Sequence, residues 1–491
     1  MLNPQNKMTL SPYSGLYDLI VSKDNIFRRM AEEIDYSFIY DELKDKYSPS
    51  MGRDAVNPIQ LFKYLIIKIS TNLSDVDVVE NVRVNMAYKY FLGMAPEERP
   101  IDASLLSVFR RQRLKDKNVL DLLINQSVKI ALEKNIIKKR SDIIVDSTHT
   151  VSPFQHYKPL DFLKERSKKV RQMMYLMDEA NAGKIEKDHD IKDVKDELQY
   201  AKALVADIKE NYSDYLTNPK FAPEFNKLDE AVGDVEDHYT SSIIDRDARL
   251  GHKTKDSDFF GYKTHIAITP ERIITAAVVS SGEKGDSDYA TELIEKTESA
   301  GVQVDAMIGD GAYATKDILS YANDENRDDK ITVVAPLHPF VFNGCRNSED
   351  KLDFNKDASM PICKAGHIAI KQRKVTYKKD GCQRIIFYFD KNKCECCRLR
   401  ETCNPQLQVK SYSIAVHTKE QERQMKFQES ELYKTKMKER YKIEAKNAEA
   451  KMYGYDRADS YGIEAMNVQA AVTMFFLNIK RIFKLSEAAK R

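Results

Sequence analysis

The residues whose types and spacing could do chemistry begin with a lone acid in a basic helix near the C-terminus. Over residues 433–452 the spacing predicts one helix, and offsets of three, four and seven put Met437, Arg440, Glu444, Ala448 and Lys451 on one stripe. Lys434, Lys436, Lys438, Lys442 and Lys446 crowd the flanks, so a polyanion lying along this helix meets positive charge nearly everywhere except at Glu444. A carboxylate there repels a phosphate unless a divalent cation lies between them, which is the arrangement metal-assisted phosphoryl transfer requires. The plain alternative is a solvated helix with an Arg440–Glu444 pair at i, i+4, worth a few tenths of a kcal/mol, ~0.3. Two more acids close short β-branched runs: Asp146 in SDIIVDST and Asp310 in VDAMIGDG. Taken singly they read as a strand-terminating cap and as Asp-Gly turn chemistry. Taken together, a bridging carboxylate plus one terminal ligand per ion suits two metals about 3.5 to 4 Å apart.

The elements that must position these acids follow from periodicity. Residues 1–140 read as helical: Asn57-Pro58 opens PIQLFKYLIIKI, Ser74 caps a helix running through DVDVVENVRVNMAYKYFLG to Gly93, and Asp102 starts ASLLSVFRRQRL. That third helix is basic, with Arg110, Arg111 and Arg113, and suggests a helix-turn-helix-like DNA contact; a helical bundle with a solvated basic edge is the alternative. The Asp146 strand follows. Residues 155–240 read as an inserted pair of antiparallel charged helices, and then FFGYKTHIAITP and RIITAAVVSSG form a hairpin about Pro270-Glu271. A helix, the Asp310 strand, another helix and the strand KITVVAPL precede a long excursion from 340 to 430. The Glu444 helix and a final apolar helix complete the order.

Composition bounds the answer without giving it. At 491 residues the chain exceeds one simple core. Lys+Arg of 78 against Asp+Glu of 76 leaves a net charge of +2, so any anionic partner must be met by local clusters. The apolar run AAVTMFFL at 470–477 falls well short of the roughly 18 to 20 residues that cross a bilayer, and MLNPQNKMTLSPYS has no signal-peptide pattern. A cytoplasmic protein without a membrane partner is expected.

All seven cysteines lie between 345 and 403, as one local site rather than a disulfide framework. Cys394 and Cys397 form the C-x2-C half of a tetrahedral zinc site, and Cys363 and Cys403 would complete four ligands. Cys396 crowds that set, and His367 or Cys382 could substitute. Reduced thiols in a small β-rich subdomain are the alternative.

The constellation resembles the DDE insertion-sequence transposases. VDST at 145–148 is similar to the first-aspartate strand, GDGAY at 309–313 to the second-aspartate motif, and Arg440-x3-Glu444-x6-Lys451 to the Y-x2-R-x3-E-x6-K signature. Met437 stands at the tyrosine position, a departure that leaves the acid untouched. The N-terminal helices, DRDARLGHKTKDSDFFGYKTHIAI and the insertion before the glutamate helix are also similar to the family; Asp286 resembles a further family acid with a supporting role. The resemblance implies an α/β fold, an RNase H-like mixed sheet flanked by helices. It implies an all-helical N-terminal DNA-binding domain at 1–138, a catalytic domain at 139–340 with 431–491 carrying the helical insertion at about 155–240, and a Cys-rich insertion at 341–430.

The activity it implies is cleavage at transposon ends and strand transfer into target DNA, with Asp146, Asp310 and Glu444 holding two Mg²⁺ ions that Mn²⁺ could replace. Arg440 and Lys451 would hold phosphates beside the scissile one, and Arg110, Arg111 and Arg113 would contact DNA. The partners implied are double-stranded DNA, as terminal inverted repeats and target, and a second copy when two ends are paired, in a bacterial cytoplasm and at the nucleoid. The competing reading is a catalytically silent, transposase-derived DNA-binding protein. A general RNase H-like nuclease would instead cut without preference for terminal repeats.

Overall fold

The computed structural model describes residues 11–48, 55–115, 117–153, 159–177, 191, 193–237, 245, 247–254, 257–324, 327, 329–337, 341, 352–355, 360–376, 383–403, 409–415 and 418–490. The chain opens with α1 (Gly15–Ile20), α2 (Ile26–Glu33), α3 (Ser37–Leu43), α4 (Pro58–Thr71), α5 (Asp75–Val84), α6 (Met86–Leu92), α7 (Ser104–Val108) and α8 (Val119–Glu133). Asn57 caps α4 by accepting from the Ile59 amide at 2.8 Å, with Pro58 in the first turn, as its sequence predicts. The helix expected from Ser74 to Gly93 is instead two. Asn85 takes extended backbone and its side chain accepts from the amides of Ala87 and Tyr88, ending α5 and capping α6 with one residue. The expected third helix is also shorter: α7 passes at Phe109 into a π turn that carries the arginines to Arg113.

Strand β1 (Arg140–Val151) leads into the insertion, α9 (Pro159–Met177), α10 (Val194–Asn211) and α11 (Phe221–Asp237). Among the described residues three α-helices, where two were expected, close a core of their own from Leu163, Val170, Met174, Leu204, Ile208, Phe221 and Leu228. At its root Ser152 Oγ donates to Asp245 Oδ2 at 2.7 Å, and buried Asp245 also takes hydrogen bonds from Tyr262 Oη and the Ala248 amide.

The sheet resumes with β2 (Arg249–Thr254), β3 (Ser257–Ile268) and β4 (Ile274–Ser281). The expected hairpin about Pro270 is present, and its turn needs Arg272 at φ +70°. Then come α12 (Ala290–Ser299), β5 (Gln303–Ile308), α13 (Lys316–Ala322) and β6 (Thr332–Val334). Strand order runs β4–β3–β1–β5–β6, antiparallel across β4, β3 and β1 and parallel across β1, β5 and β6; β2 pairs the first half of β3.

A small three-stranded antiparallel sheet follows, made by β9, β10 and β11, beside a short hairpin. The elements are β7 (Asp353–Asn355), β8 (Met360–Ile362), β9 (Lys371–Thr376), β10 (Gln383–Tyr388), α14 (Lys391–Glu395), α15 (Arg400–Cys403) and β11 (Ser411–Ala415). Leu352, Ala369, Phe387, Phe389 and Tyr412 fill its core. The chain closes with α16 (Lys419–Gln428), α17 (Glu431–Met437), α18 (Tyr441–Met452) and α19 (Ile463–Lys490). From α16, Gln424 Nε2 donates to the carbonyls of Val333 and Ala335, at 3.0 and 2.9 Å, which satisfies the open side of β6.

Alternation along β1 divides the main sheet's faces. Ile143 and Val145 pack with α12 and α13, while Ile144 joins a larger core that runs from the N-terminal helices to α19. Phe475 of α19 is the hinge of that larger core, with its ring 6.4 Å from Tyr36, 6.2 Å from Phe38 and 5.9 Å from Phe62. Among the described residues no helix is long and apolar enough to cross a membrane.

Candidate active site

Asp146 and Asp310 are neighbours because the parallel pairing of β1 with β5 stops just short of both; Asp146, expected to close its strand, lies inside β1, which runs on to Val151 against β3. Pairing with β5 stops at Ile144↔Ile308, so Asp146 stands two residues past it on β1, and Asp310 two residues past it on the other strand. Ligands gather beyond the carboxyl ends of parallel strands. Asp310 caps the 3₁₀ turn Gly311–Tyr313, accepting from the Ala312 amide at 2.9 Å. Gly309 makes that turn possible: a Cβ there would come 2.6 Å from the Tyr313 ring. Burial pushes the Asp146 carboxyl up to about 6. The Ser147 amide and Arg440 pull it down, and the negative charges of Asp310 and Asp286 add to the rise.

Glu444 arrives from the other side in the first turn of α18. The expected unbroken helix over 433–452 is interrupted by a 3₁₀ turn, Lys438–Arg440. Residues six apart in an α-helix point about 120° from each other, and three residues of 3₁₀ geometry turn the chain by roughly 60° more. The break thereby lets both Met437 and Ile443 pack on the same large core. Glu444 is 59% exposed and lies 3.6 Å from the Arg440 guanidinium, which also acts on Asp146. Lys451 is half-buried farther along α18.

Asn447, which the sequence stripe passed over in favour of Ala448, makes the contact between this helix and β1: its Nδ2 donates to Asp146 Oδ2 at 3.1 Å. Position i+3 from Glu444 shares its face as well as i+4 does, and that spacing was the available signal.

Asp286 belongs to the same neighbourhood. Ser147 Oγ and Lys263 Nζ donate to its Oδ1 at 2.9 and 3.0 Å. His265, stacked on Tyr289 at 4.4 Å, is held neutral by burial, which pushes it down to about 4. Buried Tyr313 has carboxylates Asp286, Asp146 and Asp310 about it, and its hydroxyl has no hydrogen-bond partner. The Oδ1 of Asn447 and the Nε of Arg440 are likewise buried without partners.

Among the described residues no three Asp, Glu, His or Cys side chains are drawn into a group ready to hold an ion. The donor chemistry nevertheless fits a hard divalent cation: oxygen ligands, neighbouring carboxylates that raise the proton affinity of Asp146, and orphaned buried polar atoms beside them.

The other expected sites are dispersed. Cys363, Cys394, Cys396, Cys397 and Cys403 are free thiols; Cys363 and Cys394 lie against the small core, Cys397 Sγ accepts from the Leu399 amide at 3.4 Å, and Cys403 Sγ is 3.2 Å from Lys410 Nζ. The four expected zinc ligands are not brought together, and Cys345 and Cys382 fall outside the described residues. Of the expected DNA contacts, Arg110 grips Asp75 through both guanidinium nitrogens at 3.0 and 2.5 Å. Arg113 donates to the Lys46 carbonyl and lies over the Tyr47 ring at 4.4 Å. Arg111 is exposed, on the wall of a cleft of about 1050 Å³ shared with Lys68, Lys115, Asp459 and Tyr461.

Comparison with protein families gives two matches. Residues 16–112 match the model described as "Transposase domain (DUF772)", and residues 234–479 match "Transposase DDE domain". No curated protein and no solved structure matches the chain. The second match spans Asp286, Asp310 and Glu444 and begins downstream of Asp146. With half of its 491 residues matching that domain and α2 to α7 falling in the first match, the chain belongs to the DDE transposase family.

Proposed function

We propose that this transposase cuts DNA at the ends of its mobile element and joins the freed 3′ ends to target DNA, with Asp146, Asp310 and Glu444 as the metal ligands. The observation that carries the proposal is the placement of Asp146 and Asp310 each two residues past the last pair of the parallel β1–β5 ladder, with the Glu444 helix docked on Asp146 through Asn447 and Arg440. When bound, a pair of Mg²⁺ or Mn²⁺ ions supplies an acidified water as nucleophile and stabilises the leaving 3′ oxygen. Arg440 and Lys451, on either side of Glu444 along the chain, bind the flanking phosphates. Arg111 contacts the duplex farther off, and Arg110 and Arg113 brace the turn that presents it.

The strand order, antiparallel through β4, β3 and β1 and then parallel through β5 and β6, supports an RNase H-like reading of the catalytic unit. The N-terminal helices serve as the DNA-binding unit, the transposase pairs two ends as a homodimer, and it works in the bacterial cytoplasm at the nucleoid. A structural zinc site on the cysteines of the small sheet requires Cys363, Cys394, Cys397 and Cys403 to close on the ion from the separate positions they hold here.

Glu444→Gln tests the assignment on a duplex carrying the element's terminal repeat. Mg²⁺-dependent cleavage should disappear while end binding persists, and a variant that cleaves like the parent would reject the site. Parent protein that binds ends but never cuts them would favour the catalytically silent reading, and cutting indifferent to the repeat would favour a general nuclease.

A further inference from the structure

We propose that Asn447 is a positioning residue of the carboxylate site, docking the Glu444 helix onto β1 and fixing the Asp146 carboxylate in the orientation that receives a cation. The inference rests on the assignment of Asp146, Asp310 and Glu444 as metal ligands.

Three observations carry it. The amide of Asn447 donates to Asp146 Oδ2 at 3.1 Å, across 301 positions of sequence, so it joins the two chain segments that must approach. The orientation of the amide follows from chemistry: turned over, it would set its own oxygen against a carboxylate oxygen, two acceptors with no proton between them. Its Oδ1 then remains buried with no partner. A buried carbonyl without a donor is destabilising, and such an atom is retained in folded proteins where something else uses it. The hydration shell of a divalent cation held by Asp146 offers such a donor.

The helix itself is anchored on its far side, which leaves Asn447 to set the approach. Lys446, wholly buried, pairs with Glu449 at 3.0 Å, and Lys480 of α19 reaches the other oxygen of Glu449 at 3.1 Å. Glu444 lies three residues before Asn447, one turn along the same face, so the spacing of Glu444 from Asp146 is set through this amide. Partners that orient metal-binding carboxylates typically contribute about 10- to 100-fold in metal affinity.

Mn²⁺ binding to the full chain without DNA, followed by electron paramagnetic resonance, tests the proposal with Asp146→Asn as reference. Asn447→Ala and the near-isosteric Asn447→Leu should each weaken Mn²⁺ binding about 10- to 100-fold. Both should melt close to the parent and bind the terminal-repeat duplex in EDTA as it does. If Asp146→Asn loses Mn²⁺ while both Asn447 variants keep parental affinity, the inference about Asn447 falls and the ligand assignment stands. If Asp146→Asn binds Mn²⁺ like the parent, or the parent binds none, the ligand assignment falls. Variants that melt far below the parent would make Asn447 a residue of fold stability and overturn the inference.

Discussion

Asp146 keeps a carboxyl group where water is scarce and other acids are close, and that has a cost in the metal-free protein. Its native value of about 6 stands above the ordinary 3.8, so its contribution to stability is fully present below 3.8 and is lost as pH rises through about 6. About two units correspond to roughly 3 kcal/mol. Asp146→Asn keeps an oxygen for the Asn447 amide and removes the charge; metal-free variant should therefore be more stable than parent at pH 7, by about 2 to 3 kcal/mol in urea melts, and equal to it at pH 3. A variant no more stable than parent at pH 7 would mean that the carboxyl is not desolvated. Asp310 stood out in the sequence because an Asp-Gly pair is a local turn signal, whereas Asp146, read as closing its strand, lies inside β1, which runs on to Val151. Asn447 did not stand out, because its role is created by β1 approaching from 301 positions away.

At the scale of elements, α18 is held by charge inside apolar surroundings. Burial pushes Lys446 down to about 8, with Glu449 opposing, and Glu449 is shared with Lys480. Removing Glu449 leaves Lys446 a buried charge without its partner, which costs about 3 to 5 kcal/mol, whereas removing Lys446 leaves Glu449 still paired with Lys480. Glu449→Ala should lower stability by that amount and Lys446→Met by under about 1 kcal/mol in thermal melts. Equal losses would show that the network is not electrostatic. The small sheet allows a second test: one zinc per chain by metal analysis, lost on Cys397→Ser, supports the structural site, and well under one ion with no change on substitution removes it. Breaks between elements were the least legible features. Asn85 was hidden inside a good helical pattern, and the 3₁₀ turn before α18 answers to packing that no local pattern records. A third helix of the insertion, α11, was not separated from the other two, although Pro223 in its first turn breaks no helical bond.

Across the whole molecule, the N-terminal helices and α19 share one core with a face of the sheet, so the expected boundary near 138 marks a change of secondary structure inside continuous packing. Periodicity could place each helix but not say which would meet, since Phe475 and Phe62 are joined only by the fold. The insertion differs, having a separate core. Ser152, leaving β1, is tied at 2.7 Å to Asp245, where the chain returns. Two chain ends already held side by side can be bridged at little entropic expense. Replacing residues 155–240 by a short Gly/Ser linker should give a protein that folds, retains the β1–β3 pairing as judged by amide exchange, and melts within a few degrees of the parent; collapse of the sheet would refute this. The Ser152–Asp245 clasp thus makes the inserted bundle a replaceable module, free to diversify in evolution without disturbing the sheet on which it is rooted.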